Sequence, residues 1–220
     1  MHYRILPGIT TTDLSKLEEN VDSLARLHIP EIALFPTTLE LPERSALYKY
    51  LEKHDVIIPH IHARADMEDA EFEYLINRFK TQVFNTHGSN ENHALENRSS
   101  KFRKQIFVES PVSNIFLDSD MENFGGICYD FSHLEENRRN WPICYNNQIS
   151  FSERYPIGCC HISAVRGAHS YHRLDTMADI QYMQLYTAYL PPLLSLELEN
   201  TLTEQLEIKK HLSKLLQNTD

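Results

Sequence analysis

QIFVE (105–109), GICYD (126–130) and IGCCH (157–161) are three short apolar runs that each end on a charged or metal-binding side chain. Buried strands seldom carry charge, because desolvating a carboxylate costs several kcal/mol unless a partner offsets it. The same ending recurs outside this block: TQVFNTH (81–87) closes on His87, and LLSLELE (193–199) on Glu197 or Glu199. One such ending could be chance. A series of them points to strand tips that converge, as in a parallel barrel, where every strand delivers its C-terminal end to one rim.

Working outward, strand-like and helix-like segments alternate along the whole chain. YRILPG (3–8), EIALFP (31–36) and VIIPHIH (56–62) complete a set of eight short strands bounded by turn residues. Between them lie amphipathic stretches. The first carries Leu14, Leu17, Val21, Leu24 and Leu27 on one stripe, with Thr12 or Asp13 as its cap. Others span 42–54, 68–79, 90–103, a stretch around 132–139, 176–189 and 202–216. Residues 113–124 are too short for a clear helix. The asparagine-rich run 134–155, with Pro142, reads as an extended loop over one rim. Eight strands in alternation with helices predict an α/β fold, a single (β/α)8 TIM barrel over residues 1–220, compact beside the about 250 residues typical of the type. An open doubly wound sheet is the competing architecture. It would leave the polar tips in a line, with few able to meet.

Residues two apart on a strand share a face, which aligns Phe107 with Glu109, Cys128 with Asp130, Cys159 with His161, and Ser195 with Glu197 and Glu199. Three carboxylates and an imidazole make a mostly oxygen site suited to an octahedral divalent ion. Mn²⁺ is the expected ion, with Mg²⁺, Co²⁺ or Zn²⁺ as alternatives.

The order Glu, Asp, His, Glu on successive strand ends, with a D-x-x-H step in Asp130-Phe-Ser-His133, resembles the xylose isomerase-like TIM-barrel superfamily. That superfamily includes sugar isomerases, ketose 3-epimerases and apurinic-site nucleases of the endonuclease IV type. The resemblance runs through nearly the whole strand order. It implies that Glu109 and Glu197 or Glu199 are metal ligands and the acid–base pair, and that Asp130 and His161 are the remaining ligands. It also implies that His133 and Arg166 hold substrate oxygens. The leading expectation is therefore a metal-dependent isomerase or epimerase of a small sugar or sugar derivative, moving a proton through an enediolate.

Extra histidines open a second reading. His60 and His62 share a face of the third strand and His87 ends the fourth. His62 and His87 are candidates for a metal or the substrate, whereas His60 reads as a rim hydrogen-bonder. The nuclease branch has histidine ligands at corresponding strand ends, His133 in its D-x-x-H step, and another histidine after the seventh strand, where His169 and His172 are candidates. A bridging Glu109 would then serve two or three metals in phosphodiester hydrolysis. The family's aspartate two residues before that loop histidine is absent, Ser170 or Gly167 standing there. A barrel that binds metal or metabolite without turnover is the third reading.

A formal charge of −10 opposes binding to a nucleic-acid backbone and favours a small carbohydrate ligand. No apolar stretch approaches the roughly 20 residues of a membrane helix. MHYRILPGIT lacks a basic head and apolar signal core, and with four cysteines and no CxxC pair the chain reads as a cytoplasmic protein with reduced thiols. Tyr182, Tyr186 and Tyr189 read as packing between helix and barrel, and the Tyr- and Leu-rich stretch 182–194 is a candidate homodimer face.

Overall fold

A computed structural model describes residues 3–88, 95 and 101–217. Most of the helix expected over 90–103 lies outside them. The main sheet orders its strands β1 (Arg4–Leu6), β11 (Leu193–Leu196), β8 (Ile157–Ile162), β7 (Gly126–Asp130), β6 (Ile106–Glu109), β5 (Val83–His87), β4 (Ile57–His62), β3 (Glu31–Phe35) and β2 (Gly8–Thr10). Every pairing in it is parallel.

The single expected first strand is two pieces, and the break closes the barrel. Pro7 between them has no N–H to give a ladder. β1 pairs with β11 and β2 with β3, so one continuous segment joins both ends of the sheet. Arg4 N donates to Pro192 O at 2.9 Å on one side, and Ala33 N to Pro7 O at 2.9 Å on the other. At the switch the buried Gln205 side chain accepts from Gly8 N at 2.7 Å and donates to Gly8 O at 2.8 Å. A Cβ on Gly8 would fall 1.9 Å from the Leu196 carbonyl oxygen, a backbone atom that cannot step aside. Gly8→Ala should therefore destabilise by roughly 1–3 kcal/mol, as overpacking generally does. A urea midpoint equal to that of the parent protein would refute this reading of the seam.

Helices pack outside the barrel: α1 (Leu17–Arg26), α2 (Leu41–Leu51), α3 (Asp69–Phe79), the single turn α4 (Asp118–Met121), α5 (Phe131–Asn140), α6 (Pro142–Phe151) and α7 (Leu202–Gln217). Asp13 accepts from Ser15 N and caps a 3₁₀ turn, Leu14–Lys16, that leads into α1. The strand alternation sorts the core. Ile32 and Leu34 face the helices, while Ala33 and Phe35 join Leu6 and Leu193 inside the barrel.

Three expectations are corrected. Residues 134–155 are largely helical, not an extended loop. Pro142 occupies the first turn of α6, where its missing N–H costs nothing. The asparagines hold neighbouring backbone: Asn137 donates to Pro111 O at 2.8 Å, and Asn147 accepts from Phe116 N at 2.8 Å. The eighth strand ends at Leu196, so Glu197 and Glu199 lie beyond it. The stretch 176–189 forms a 3₁₀ helix over Met177–Tyr189. Tyr182 and Tyr186 are buried there as packing residues, with hydroxyls donating to Ser163 O and Glu135 Oε2.

Candidate metal centre

Each candidate on the central strands sits at or beside a strand's C-terminal end. His62, His87, Glu109 and Asp130 are the last residues of β4, β5, β6 and β7, and His161 is the penultimate residue of β8. Register does the gathering: His87 lies opposite Glu109, and Asp130 opposite His161. Glu197 follows β11, its N–H donating to Ile162 O at 3.1 Å.

Glu109 is the hub, 3% exposed. Its Oε2 lies 3.3 Å from His62 Nε2 and 3.4 Å from His161 Nδ1, and its Oε1 lies 3.8 Å from His87 Nε2 and 3.7 Å from His133 Nδ1. Glu109 belongs to two of the donor groups around it. His62, His87 and Glu109 bring donor atoms within 4.8 Å of one another on one side, and Asp130, His161 and Glu197 do so on the other. A third set of the same span joins Glu109, Asp130 and His133.

Local structure aims each donor. Asp130 Oδ1 caps α5, accepting from Ser132 N, Ser132 Oγ and His133 N at 2.8, 2.6 and 3.1 Å. That occupies one oxygen and leaves Oδ2 turned inward, 3.5 Å from His133 Nε2. The D-x-x-H step is thus also a helix N-cap. His62 Nδ1 donates to Ala63 O at 3.0 Å, which puts the lone pair on Nε2, the arrangement of a metal-ligating imidazole with a carbonyl behind it. His133 Nδ1 likewise donates to Ser110 O at 3.1 Å.

Four buried atoms here have no hydrogen-bond partner among the described residues: His62 Nε2, Asp130 Oδ2, and His161 Nδ1 and Nε2. Native interiors leave few such groups. His161 Nδ1 is 3.1 Å from Glu197 Oε2 yet out of line for a hydrogen bond. A divalent cation fits this donor set, since it accepts lone pairs that no donor among the described residues satisfies.

Without a cation the charges lean on one another. Burial depresses His161, but the Glu109 and Glu197 carboxylates outweigh it and lift its pKa to about 10. Burial raises Glu197, but His161 pulls it down to about 2. Burial likewise opposes ionisation of Glu109, and His161 and His87 overcome it, holding the carboxyl well below its usual range. The linkage sign follows. His161, raised above its ordinary 6.5, contributes stability that is complete below that pH and lost as pH climbs toward about 10. Glu197, lowered from 4.5, contributes stability that is lost as pH falls toward about 2. Metal-stripped protein should be most resistant to urea between about pH 4.5 and 6.5. A midpoint that rises steadily from pH 6.5 to 9 would contradict this coupling.

The remaining candidates lie apart. Glu199 accepts from Thr12 Oγ1 at 2.9 Å and stays outside the cluster. Arg166 sits in β9 (Ala164–Arg166), ion-paired with Asp175 and stacked over Tyr171 of β10 (His169–Tyr171). His169 pairs with Glu136 at 3.1 Å. His172 lies close enough to stabilise the Glu197 charge. Two residues that the sequence reading passed over serve the site, and the reading of a third, His60, is corrected. Ser110 supports both Asp130 and His133, Asn85 donates to Glu109 Oε2 at 2.7 Å, and His60 binds Asn85 inside the barrel instead of at the rim. Their only sequence signal was strand alternation, which put Asn85 on the face of His87. A cleft of about 190 Å³ opens beside His62 and His87, lined also by Thr37, Arg64 and Asp66. A larger cavity of about 650 Å³ lies outside the barrel between α2 and α3, away from these donors.

No protein-family model matches the chain, and no curated protein is similar to it. Among solved structures, SacUVDE matches with a TM-score of 0.52 and 12% identity, covering 97% of this chain and 99% of that one. The "probable 3-DHS dehydratase AsbF" from Bacillus anthracis gives 0.46 and 17%, with full coverage of both chains. A sugar phosphate isomerase/epimerase from Parabacteroides distasonis gives 0.45 and 10%, over 99% and 96% of the two chains. With its parallel barrel closed through a split first strand, and its likeness to SacUVDE along nearly the whole chain, this protein has a TIM-barrel fold.

Proposed function

We propose that the protein is a hydrolase of phosphate esters that works with two or more divalent cations bridged by Glu109. One observation carries this reading: Glu109 stands in one donor group with His62 and His87, and its Oε2 also lies 3.4 Å from His161 of a second group, Asp130, His161 and Glu197. His62, His87 and Glu109 would hold one ion, and Asp130, His161 and Glu197 another, with Glu109 Oε2 beside His161. Divalent ions held by these residues would supply Lewis acidity, activating water and offsetting negative charge on a phosphate ester. The chain's own part is to keep carboxylates ionised in a buried site and imidazoles oriented by Ala63 O and Ser110 O. Burial lowers the pKa of His133, but the Asp130 and Glu109 carboxylates beside it outweigh that and raise it above the ordinary value. The imidazole is placed to meet a phosphate oxygen.

A one-metal sugar isomerase or epimerase is the second reading. The net charge of −10 favours it, as does the set Asp130, His161 and Glu197, with Glu109 beside His161, taken alone. It leaves the orphaned His62 Nε2 without a task. Mn²⁺ is the expected ion under either reading. Metal-stripped protein reloaded with Mn²⁺ or Zn²⁺ should be assayed on bis(p-nitrophenyl) phosphate, an abasic-site oligonucleotide and a ketose panel. Two bound ions with ester cleavage support the proposal. One ion with C–H exchange on a ketose would replace it with the second reading, and inactivity on all three would favour a barrel that binds without turnover.

A further inference from the structure

Beneath the metal centre, four buried side chains from four strands or strand ends form one hydrogen-bonded line. Ser195 Oγ lies 2.7 Å from His60 Nδ1, His60 Nε2 lies 3.0 Å from Asn85 Oδ1, and Asn85 Nδ2 donates to Glu109 Oε2 at 2.7 Å. His60, Asn85 and Ser195 have no solvent exposure. The end of this line determines every direction in it. An ionised carboxylate can only accept, so Asn85 must present its N–H to Glu109 and its carbonyl oxygen to His60. His60 must then carry a proton on Nε2, and in the neutral ring Nδ1 accepts from the Ser195 hydroxyl. All three donors point toward Glu109, and each bond polarises the next.

We propose that Asn85 is a positioning residue for the bridging Glu109, and that His60, itself held by Ser195, supports the Asn85 amide in the orientation that Glu109 requires. The inference rests on the bridged-cation reading above. A carboxylate's last torsion is soft and broad. Only a fixed donor keeps Oε2 toward His62 and His161 while Oε1 turns to His87 and His133. A flipped Asn85 would set its carbonyl oxygen against the carboxylate and its NH₂ against a ring N–H. Both contacts are repulsive, so the His60 proton supports the amide as it stands. The bond to Asn85 occupies one lone pair of Oε2 and leaves another for a cation.

Two substitutions at one position separate positioning from packing. His60→Gln reaches the Nε2 site and retains a donor to Asn85. His60→Asn reaches only the Nδ1 site, keeps a partner for Ser195 and leaves Asn85 Oδ1 without its donor. Mn²⁺ binding to metal-stripped protein would be titrated by the electron paramagnetic resonance signal of the free ion, with Asn85→Ala as a third variant. Melting of each metal-free variant would be recorded in parallel. The expected result is two Mn²⁺ per chain in the parent protein, near-parent affinity in His60→Gln, and affinity about 10–100-fold weaker in His60→Asn and Asn85→Ala, the range typical of lost outer-shell partners. Equal affinity across all variants overturns the proposal while leaving the bridged site intact. So does equal loss in His60→Gln and His60→Asn that tracks their melting temperatures. Fewer than two Mn²⁺ in the parent protein would overturn the bridged reading itself, and this inference with it.

Discussion

Glu109→Gln is expected to remove turnover by at least about 10³-fold, in line with losing preorganised stabilisation of charge at a reacting centre. Bound metal should fall from two ions to one or none per chain. The amide keeps the volume of the carboxylate, so the barrel should still form. What changes is charge: both ligand sets lose their shared anion at once. The same substitution takes from His161 one of the two carboxylates that raise its pKa to about 10, so the imidazole should titrate lower in the metal-free variant. Circular dichroism, metal content by plasma emission and the assays above check the three parts separately. Parent-like metal content with parent-like activity would remove Glu109 from the centre of the mechanism. A variant that loses both metal and fold would not, and Asp130→Asn, which keeps the cap's shape, then serves as the second probe.

Arg44→Ala should cost about 3–5 kcal/mol of stability, the usual cost of stripping one partner from a buried ion pair. Arg44 is fully buried on α2. It donates from Nε and Nη2 to the two Glu71 oxygens at 2.8 and 2.9 Å, and from Nη1 to Asp66 and Leu39 O at 3.0 and 2.9 Å. Tyr48 adds a donor to Glu71 at 2.9 Å. The alanine variant would leave Glu71 nearly buried with only that hydroxyl for company. At roughly 2–4 °C per kcal/mol for a chain of this size, melting should drop by roughly 6–20 °C. Replacing both partners with apolar residues, Arg44→Met with Glu71→Leu, should recover most of the loss, because no charge is then stranded. A single alanine variant within about 1 kcal/mol of the parent would show that water reaches Glu71 and compensates it.

Local patterning made much of this protein legible. A period of two in short apolar runs and a period near 3.6 between them sufficed for the alternating barrel. Polar endings on those runs sufficed for Glu109, Asp130 and His161, because a charge at a buried strand tip needs a reason that an exposed one does not. Turn chemistry misled in one region. Asn137, Pro142 and Asn147 read as loop residues, yet the asparagines are spent on the backbone of the β6–α4 connection and Pro142 opens a helix. Their partners lie 26 to 31 residues away, beyond the reach of any local window.

Composition and strand periodicity determined by themselves that the chain builds a parallel barrel and that its acids and histidines collect on one rim. Three things waited for the tertiary structure: the split of the first strand at Pro7, the choice of Glu197 over Glu199 beside His161, and the division of Glu109 between two imidazole sets. Each turns on the angular relation of strands far apart in the chain. Pairing register and barrel stagger decide that relation, and neither is written in the spacing of residues along a single strand.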